Sequence, residues 1–139
     1  MDKQTTYDLA GQVIGCAMRV HRQLGCGFCE SVYRNALLHE LALEGVKAEA
    51  ERKIEVRYKN AIVGSFAADL CIGEELIIEL KAVHNLITAH EVQLVNYLTA
   101  TGINHGLLLN FGGPSLEYKK KFKSYTPCDS KQPAPRLQG

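Results

Sequence analysis

The tripeptide Glu79-Leu80-Lys81 closes an apolar run, Leu76-Ile77-Ile78, and Asp69 stands ten residues before Glu79. A run of this kind reads as a buried strand. Charges at the end of such a strand are costly unless they are paired, bind metal or do chemistry. The chain must therefore fold around a sheet that carries carboxylates and a lysine to one end of an inner strand. Residues two apart on a strand project to one face, so Glu79 and Lys81 point the same way.

The surrounding sequence supplies a partner for Glu79. Ile62 to Ile72 reads as a strand, and Gly73-Glu74-Glu75 turns it back into Leu76 to Lys81. A three-residue loop sets Asp69 directly opposite Glu79, on the same face because cross-strand partners share a face. A two-residue loop would slip the register by one and break that pairing. Two carboxylates on adjacent strands make a seat for a hard divalent cation, Mg2+ or Mn2+. A neighbouring lysine then orients or deprotonates a water, or neutralises charge developing on phosphorus. These are the parts of metal-assisted phosphodiester hydrolysis. The bland reading of the same residues is a turn-capping Asp69 and an exposed Glu79–Lys81 pair at a strand end.

Elsewhere the periodicities change in a simple order. Leu9, Val13, Cys16, Ala17 and Val20 form one helical stripe between Thr5 and Leu24, closed by Gly25-Cys26-Gly27. A second helix is expected over Cys29 to Glu44, with Val32, Tyr33, Ala36, Leu37, Glu40 and Leu41 on its stripe and Gly45 closing it. Ile54, Val56 and Tyr58 then alternate with Lys, Arg and Glu as a half-buried strand does, and Lys59-Asn60 turns it. Thr88 to Thr101 is expected as a third helix, with Thr88 as N-cap and Glu91 completing a capping box. His105 to Phe111 and Leu116 to Tyr125 read as two final strands. The order ααβββαββ gives an α/β fold, a mixed central sheet flanked by helices.

At 139 residues the chain is about one domain, and a net charge of +1 excludes a bulk polycation. The domain is expected over residues 1–125, with a polar, proline-rich, disordered tail over 126–139. No stretch approaches the roughly 18 apolar residues of a membrane span, and the first residues lack a signal-peptide layout. Five scattered cysteines make a poor disulfide framework, so a reduced, cytoplasmic chain is expected.

Gly27-Phe28-Cys29-Glu30-Ser31-Val32-Tyr33 fits a Gly-x-x-Glu-x-x-Tyr pattern. With Glu51, the stretch Gly64 to Asp69, Glu79 to Ala82, Gln93 to Leu98 and Gly106 to Gly112, the chain resembles the bacterial GxxExxY family over about residues 8 to 123. That family belongs to the PD-(D/E)xK nuclease superfamily. The resemblance implies a restriction-endonuclease-like core, in which Asp69, Glu79 and Leu80 hold the metal and Lys81 is the catalytic lysine. Gln93 and Tyr97 match the Gln-x-x-x-Tyr motif of RecB-like members and share one helix face. Glu30 and Glu51 occupy secondary positions. Ala68 replaces the proline that gives the superfamily its name.

The implied activity is metal-dependent hydrolysis of DNA, with nucleic acid as partner, no membrane, and a homodimer or larger complex to help a small domain grip its substrate. The competing function is a catalytically inactive nucleic-acid-binding or interaction module on the same fold. Lys119, Lys120 and Lys121 read by default as a solvated edge strand and, given a nuclease, as phosphate contacts. Cys26 and Cys29 lack the second pair that structural zinc wants. Cys16 and Cys71 read as core. The histidines share no ligand spacing and read mostly as surface or capping residues; for His84 and His90, which flank the start of the third helix, the alternative is a substrate contact.

Overall fold

Two amphipathic helices open the chain, and each buries only part of the stripe its spacing predicts; on α2, Val32, Ala36 and Glu40 are half-buried. In the computed structural model, which describes residues 3–123, α1 spans Lys3–Leu24 and α2 spans Glu30–Leu43. Val13, Cys16, Ala17 and Val20 of α1 pack with Tyr33, Leu37 and Leu41 of α2 in one buried cluster. The tail expected from residue 126, with Cys128 in it, lies outside the described residues.

The strands that follow are β1 (Glu49–Tyr58), β2 (Ala61–Ile72) and β3 (Leu76–Lys81), joined as antiparallel hairpins. Lys59 and Asn60 take φ of 48° and 72°, the two positive values that a two-residue hairpin turn between twisted strands requires. Helix α3 (Thr88–Thr101) crosses to β4 (His105–Asn110), which pairs with β3 in parallel, and β5 (Glu117–Phe122) returns antiparallel at the edge. A parallel pair needs such a crossover, and a helix is the usual solution. The sheet order is β1-β2-β3-β4-β5.

Helices cover both faces. Ile78, Leu80, Leu107 and Leu109 face α1 and α2, whereas Ile77 and Leu108 face Leu94, Tyr97 and Leu98 of α3. The central strands are therefore nearly continuous apolar runs, as strands buried on both sides must be. Gly106 fixes how closely α3 approaches, because a Cβ there would sit 3.0 Å from the Leu94 side chain.

The start of α3 corrects the expected cap. Its N-cap is Ile87, not Thr88, and the reciprocal bond comes from His90, whose Nδ1 accepts the Ile87 amide at 3.2 Å. Glu91 is drawn away by stronger partners, the ammonium groups of Lys119 and Lys121 on β5. An ion pair to an adjacent strand outcompetes a local amide bond that His90 already satisfies.

Candidate active site

The β2–β3 ladder holds the register that a three-residue turn dictates, with Leu70 opposite Ile78, Cys71 opposite Ile77 and Ile72 opposite Leu76. Its next position in that register would pair Asp69 with Glu79, and there the backbone ladder ends. Side chains take over. The Asp69 amide donates to Glu79 Oε2 at 2.9 Å, and the Leu80 amide donates to Asp69 Oδ2 at 2.8 Å. Each carboxylate thus caps an amide that the parting strands would otherwise leave unpaired.

Backbone irregularity marks the same point on the other side of β2. The β1–β2 register runs through Ala50–Leu70 and Arg52–Ala68 but omits Glu51 and Asp69 between them. Glu51 has φ of 55°, a left-handed conformation costing a non-glycine residue about 1–2 kcal/mol. Across this interruption the facing changes parity, since Ala68 and Cys71 lie in the α3-side cluster while Leu70 lies in the other. Regular alternation would have put Ala68 and Leu70 on one face.

Lys81 and α3 complete the group. Lys81 Nζ donates to Gln93 Oε1 at 3.3 Å. Tyr97, one helical turn beyond Gln93, is buried and has its hydroxyl pKa raised, first by burial and then by the negative charges of Glu79 and Asp69. Glu79 itself is only 4% exposed, and its pKa is pushed up to about 8. Burial is the main cause and the Asp69 charge the next; the Asp69 amide and Lys81 pull the other way. Asp69, Glu79, Lys81, Gln93 and Tyr97 are therefore brought to one locus from three elements.

A hard divalent cation suits this donor set. Two carboxylates converge where the strands part, and each has one oxygen occupied by a backbone amide. Mg2+ typically takes one or two protein carboxylates and fills its remaining positions with water and substrate. Among the described residues no group of three or more His, Cys, Asp or Glu side chains forms a denser metal cluster. Leu80 has only its backbone carbonyl to offer, because its side chain is buried in the core beneath α1 and α2.

The other sequence candidates lie apart from this locus. Glu30 is exposed in the first turn of α2, on the helix layer opposite α3. Glu51 stands beside Asp69 in register, but its side chain is exposed and pairs with Arg34 at 3.3 Å. Lys119 and Lys121 pair with Glu91 on the α3 side, and Lys120 alternates with them on β5. His84 is exposed in the loop before α3, whereas His21 is buried, with Nε2 2.9 Å from the Gly113 carbonyl. Cys16 and Cys71 are core residues, and all four described cysteines are free thiols.

The Gly-x-x-Glu-x-x-Tyr segment proves to be a brace for the strand ends. Gly27 takes φ of 118°, closed to other side chains, in the loop between α1 and α2. The Tyr33 hydroxyl donates to the Gly25 carbonyl at 2.6 Å and accepts the Phe28 amide at 3.2 Å. Its ring stacks on Phe111 at 4.6 Å, and the Phe111 amide donates to the Lys81 carbonyl at 2.8 Å. The motif thus reaches the lysine strand through one aromatic contact.

A buried asparagine was not singled out by sequence. Asn110 is fully buried at the end of β4 and registers beside Lys81. Its Oδ1 accepts the amides of Val83 and Gly112, and its Nδ2 donates to the Val83 carbonyl and Glu117. A Cβ on Gly112 would meet the Val83 carbonyl oxygen at 2.2 Å. Together they clamp the chain as it leaves Lys81 for α3. A polar residue ending the run Leu107-Leu108-Leu109 was the available signal.

A family model of the PD-(D/E)XK nuclease superfamily matches residues 7–122. No curated protein matches the chain. Among solved structures, the crystal structure of SSO0001 superposes with a TM-score of 0.56 at 17% identity, over 78% of this chain and 61% of that one. At that identity the likeness is one of fold, and the chain spans under two-thirds of that structure's length.

Proposed function

The chain belongs to the PD-(D/E)XK nuclease superfamily, and from that premise we propose that it is a divalent-metal-dependent nuclease hydrolysing phosphodiester bonds in DNA. Asp69 and Glu79, with the Leu80 carbonyl, would hold Mg2+ or Mn2+. When bound, the metal supplies Lewis acidity and a more acidic water. Lys81 carries the positive charge that stabilises developing negative charge on the phosphate and orients the attacking water. Gln93 holds the lysine ammonium by its carbonyl oxygen and so limits its freedom to turn away. Asn110 and Gly112 are positioning residues, acting through the backbone that follows Lys81.

The single observation carrying this reading is the exchange of carboxylates across the parting strands, with Lys81 alongside. A buried carboxylate held against another with its pKa raised to about 8 is an unstable arrangement that a divalent cation relieves. We read the chain further as a GxxExxY protein, on Gly27, Glu30 and Tyr33, working as one nuclease domain in a reducing cytoplasm that its free thiols suit. Lys119, Lys120 and Lys121 are its candidate phosphate contacts, and a second copy would enlarge its grip.

The test is cleavage of DNA and RNA, single- and double-stranded, with Mg2+ or Mn2+ titrated in. Activity on DNA that disappears in both Asp69→Ala and Lys81→Ala supports the proposal. Cleavage that survives both substitutions belongs to a contaminant and defeats it. Salt-sensitive DNA binding with no cleavage under any metal would leave a binding module instead.

A further inference from the structure

The hairpin β1–β2 overhangs the rest of the sheet. Strand β3 pairs with β2 only from Leu70 to Ile72, so the stretch 61–68 of β2 has β1 on one side and no strand on the other. The overhang starts where Asp69 and Glu79 meet, at the end of the β2–β3 ladder. Its apolar side chains are unusually open, since Tyr58, Ile62, Val63 and Phe66 are all exposed.

Phe66 is the one placed to serve the site. Its ring lies 5.5 Å from that of Tyr97, tilted at 41°, and Tyr97 stands one helical turn beyond Gln93, which accepts a hydrogen bond from the Lys81 ammonium. Three residues along an extended strand separate Phe66 from Asp69, about 10 Å. Tyr97 supports one side of the ring, yet Phe66 remains 46% exposed.

Most cations of this overhanging arm are already paired: Arg52 with Glu49 and Glu74, and Lys53 and Arg57 with Glu55. Lys59 sits over the Tyr58 ring at 5.5 Å, at the tip of the arm. Aromatic faces interleaved with cations are how proteins hold unpaired nucleic-acid strands, because every base has a face to stack and every phosphate a charge. In a duplex those faces are already covered by neighbouring bases.

We infer that Phe66 is a base-stacking platform, and that the candidate site receives a single strand of nucleic acid rather than an intact duplex. The inference deepens the nuclease reading and rests on it for the identity of the ligand. The strand runs along the overhang, with one base on Phe66 and a phosphate at the Asp69–Glu79 vertex.

The chain contains no tryptophan, so Phe66→Trp installs a unique reporter. The full chain, as Phe66→Trp, Phe66→Ala and unaltered, is mixed in Ca2+ with a deoxyoligonucleotide, single-stranded or annealed to its complement, and thermal melts confirm that each variant folds. Tryptophan emission should be quenched by the single strand and not by the duplex. Phe66→Ala should bind the single strand about tenfold more weakly, with duplex binding changed less than about twofold. Unquenched emission at saturation, or unchanged single-strand affinity in Phe66→Ala, overturns the inference. So does loss of dimerisation in Phe66→Ala with binding intact, which would make the patch a contact between copies. Quenching without cleavage in Mg2+ leaves the platform standing and removes the nuclease. Cleavage by Phe66→Ala with an unchanged KM for single strands leaves the nuclease and removes the platform.

Discussion

Glu79 receives the backbone amide of Asp69 on its carboxylate, and Asp69 places its own carboxylate on the amide of Leu80, directly after Glu79. The exchange joins two strands at the point where they cease to pair. It also holds two acidic side chains together in a poorly solvated place.

That proximity makes metal-free stability depend on pH. The folded-state pKa of Glu79, about 8, lies above the ordinary glutamate value, so the folded protein keeps a proton that the unfolded chain has released. Stability contributed by this group is therefore full below about pH 4.5 and falls as pH rises toward 8. Thermal melts in EDTA from pH 5 to 8 should show the wild type losing ground to Glu79→Gln as pH rises. Mn2+ should reverse the loss in the wild type alone. A difference between the two proteins that stays constant with pH would contradict the assignment.

Asn110→Ala removes four hydrogen bonds at once and strands the Val83 and Gly112 amides in a buried place. A loss of about 2–4 kcal/mol in urea unfolding is expected. The surviving folded protein should show reduced kcat with little change in KM, because Lys81 and its exit loop lose their clamp. An effect confined to stability would limit Asn110 to the core.

Glycine-to-alanine changes should split in sign. At Gly112 the new methyl meets backbone at 2.2 Å, and the variant should lose several kcal/mol. At Gly11, inside α1 with open space around it, alanine should gain about 0.5–1 kcal/mol through helix propensity. Calorimetric melting of both variants beside the wild type tests the pair.

Tyr33→Phe keeps the stack on Phe111 and deletes the hydroxyl shared by Gly25 and Phe28. The expected cost is about 1–2 kcal/mol, with faster amide exchange in the loop between α1 and α2. Tyr33→Ala, which also removes the ring from the core, should cost about 3–5 kcal/mol. Equal losses in the two variants would show that the hydroxyl, not the ring, is what the motif conserves in energy.

Much of the architecture was legible because it rests on local periodicity and turn length. The stripe of α1 and α2, the span Thr88–Thr101 and the Lys59-Asn60 turn follow from spacing alone. The three-residue turn at Gly73-Glu74-Glu75 sets the register that carries Asp69 toward Glu79. The cap of α3 was misread, because Glu91 is claimed by lysines nearly thirty residues further along. Asn110 went unremarked, because a buried amide reveals its value only through partners remote in sequence.

By itself, the sequence determined which residues lie on strands and helices, and which carboxylates face one another across the hairpin. Those are short-range matters, fixed by side-chain period and loop length. Only the tertiary structure decided that the ladder stops at Asp69, that facing changes parity there, and that α3 delivers Gln93 to Lys81. These depend on how far strands twist apart and how closely a helix packs, which long-range burial sets and no local pattern encodes.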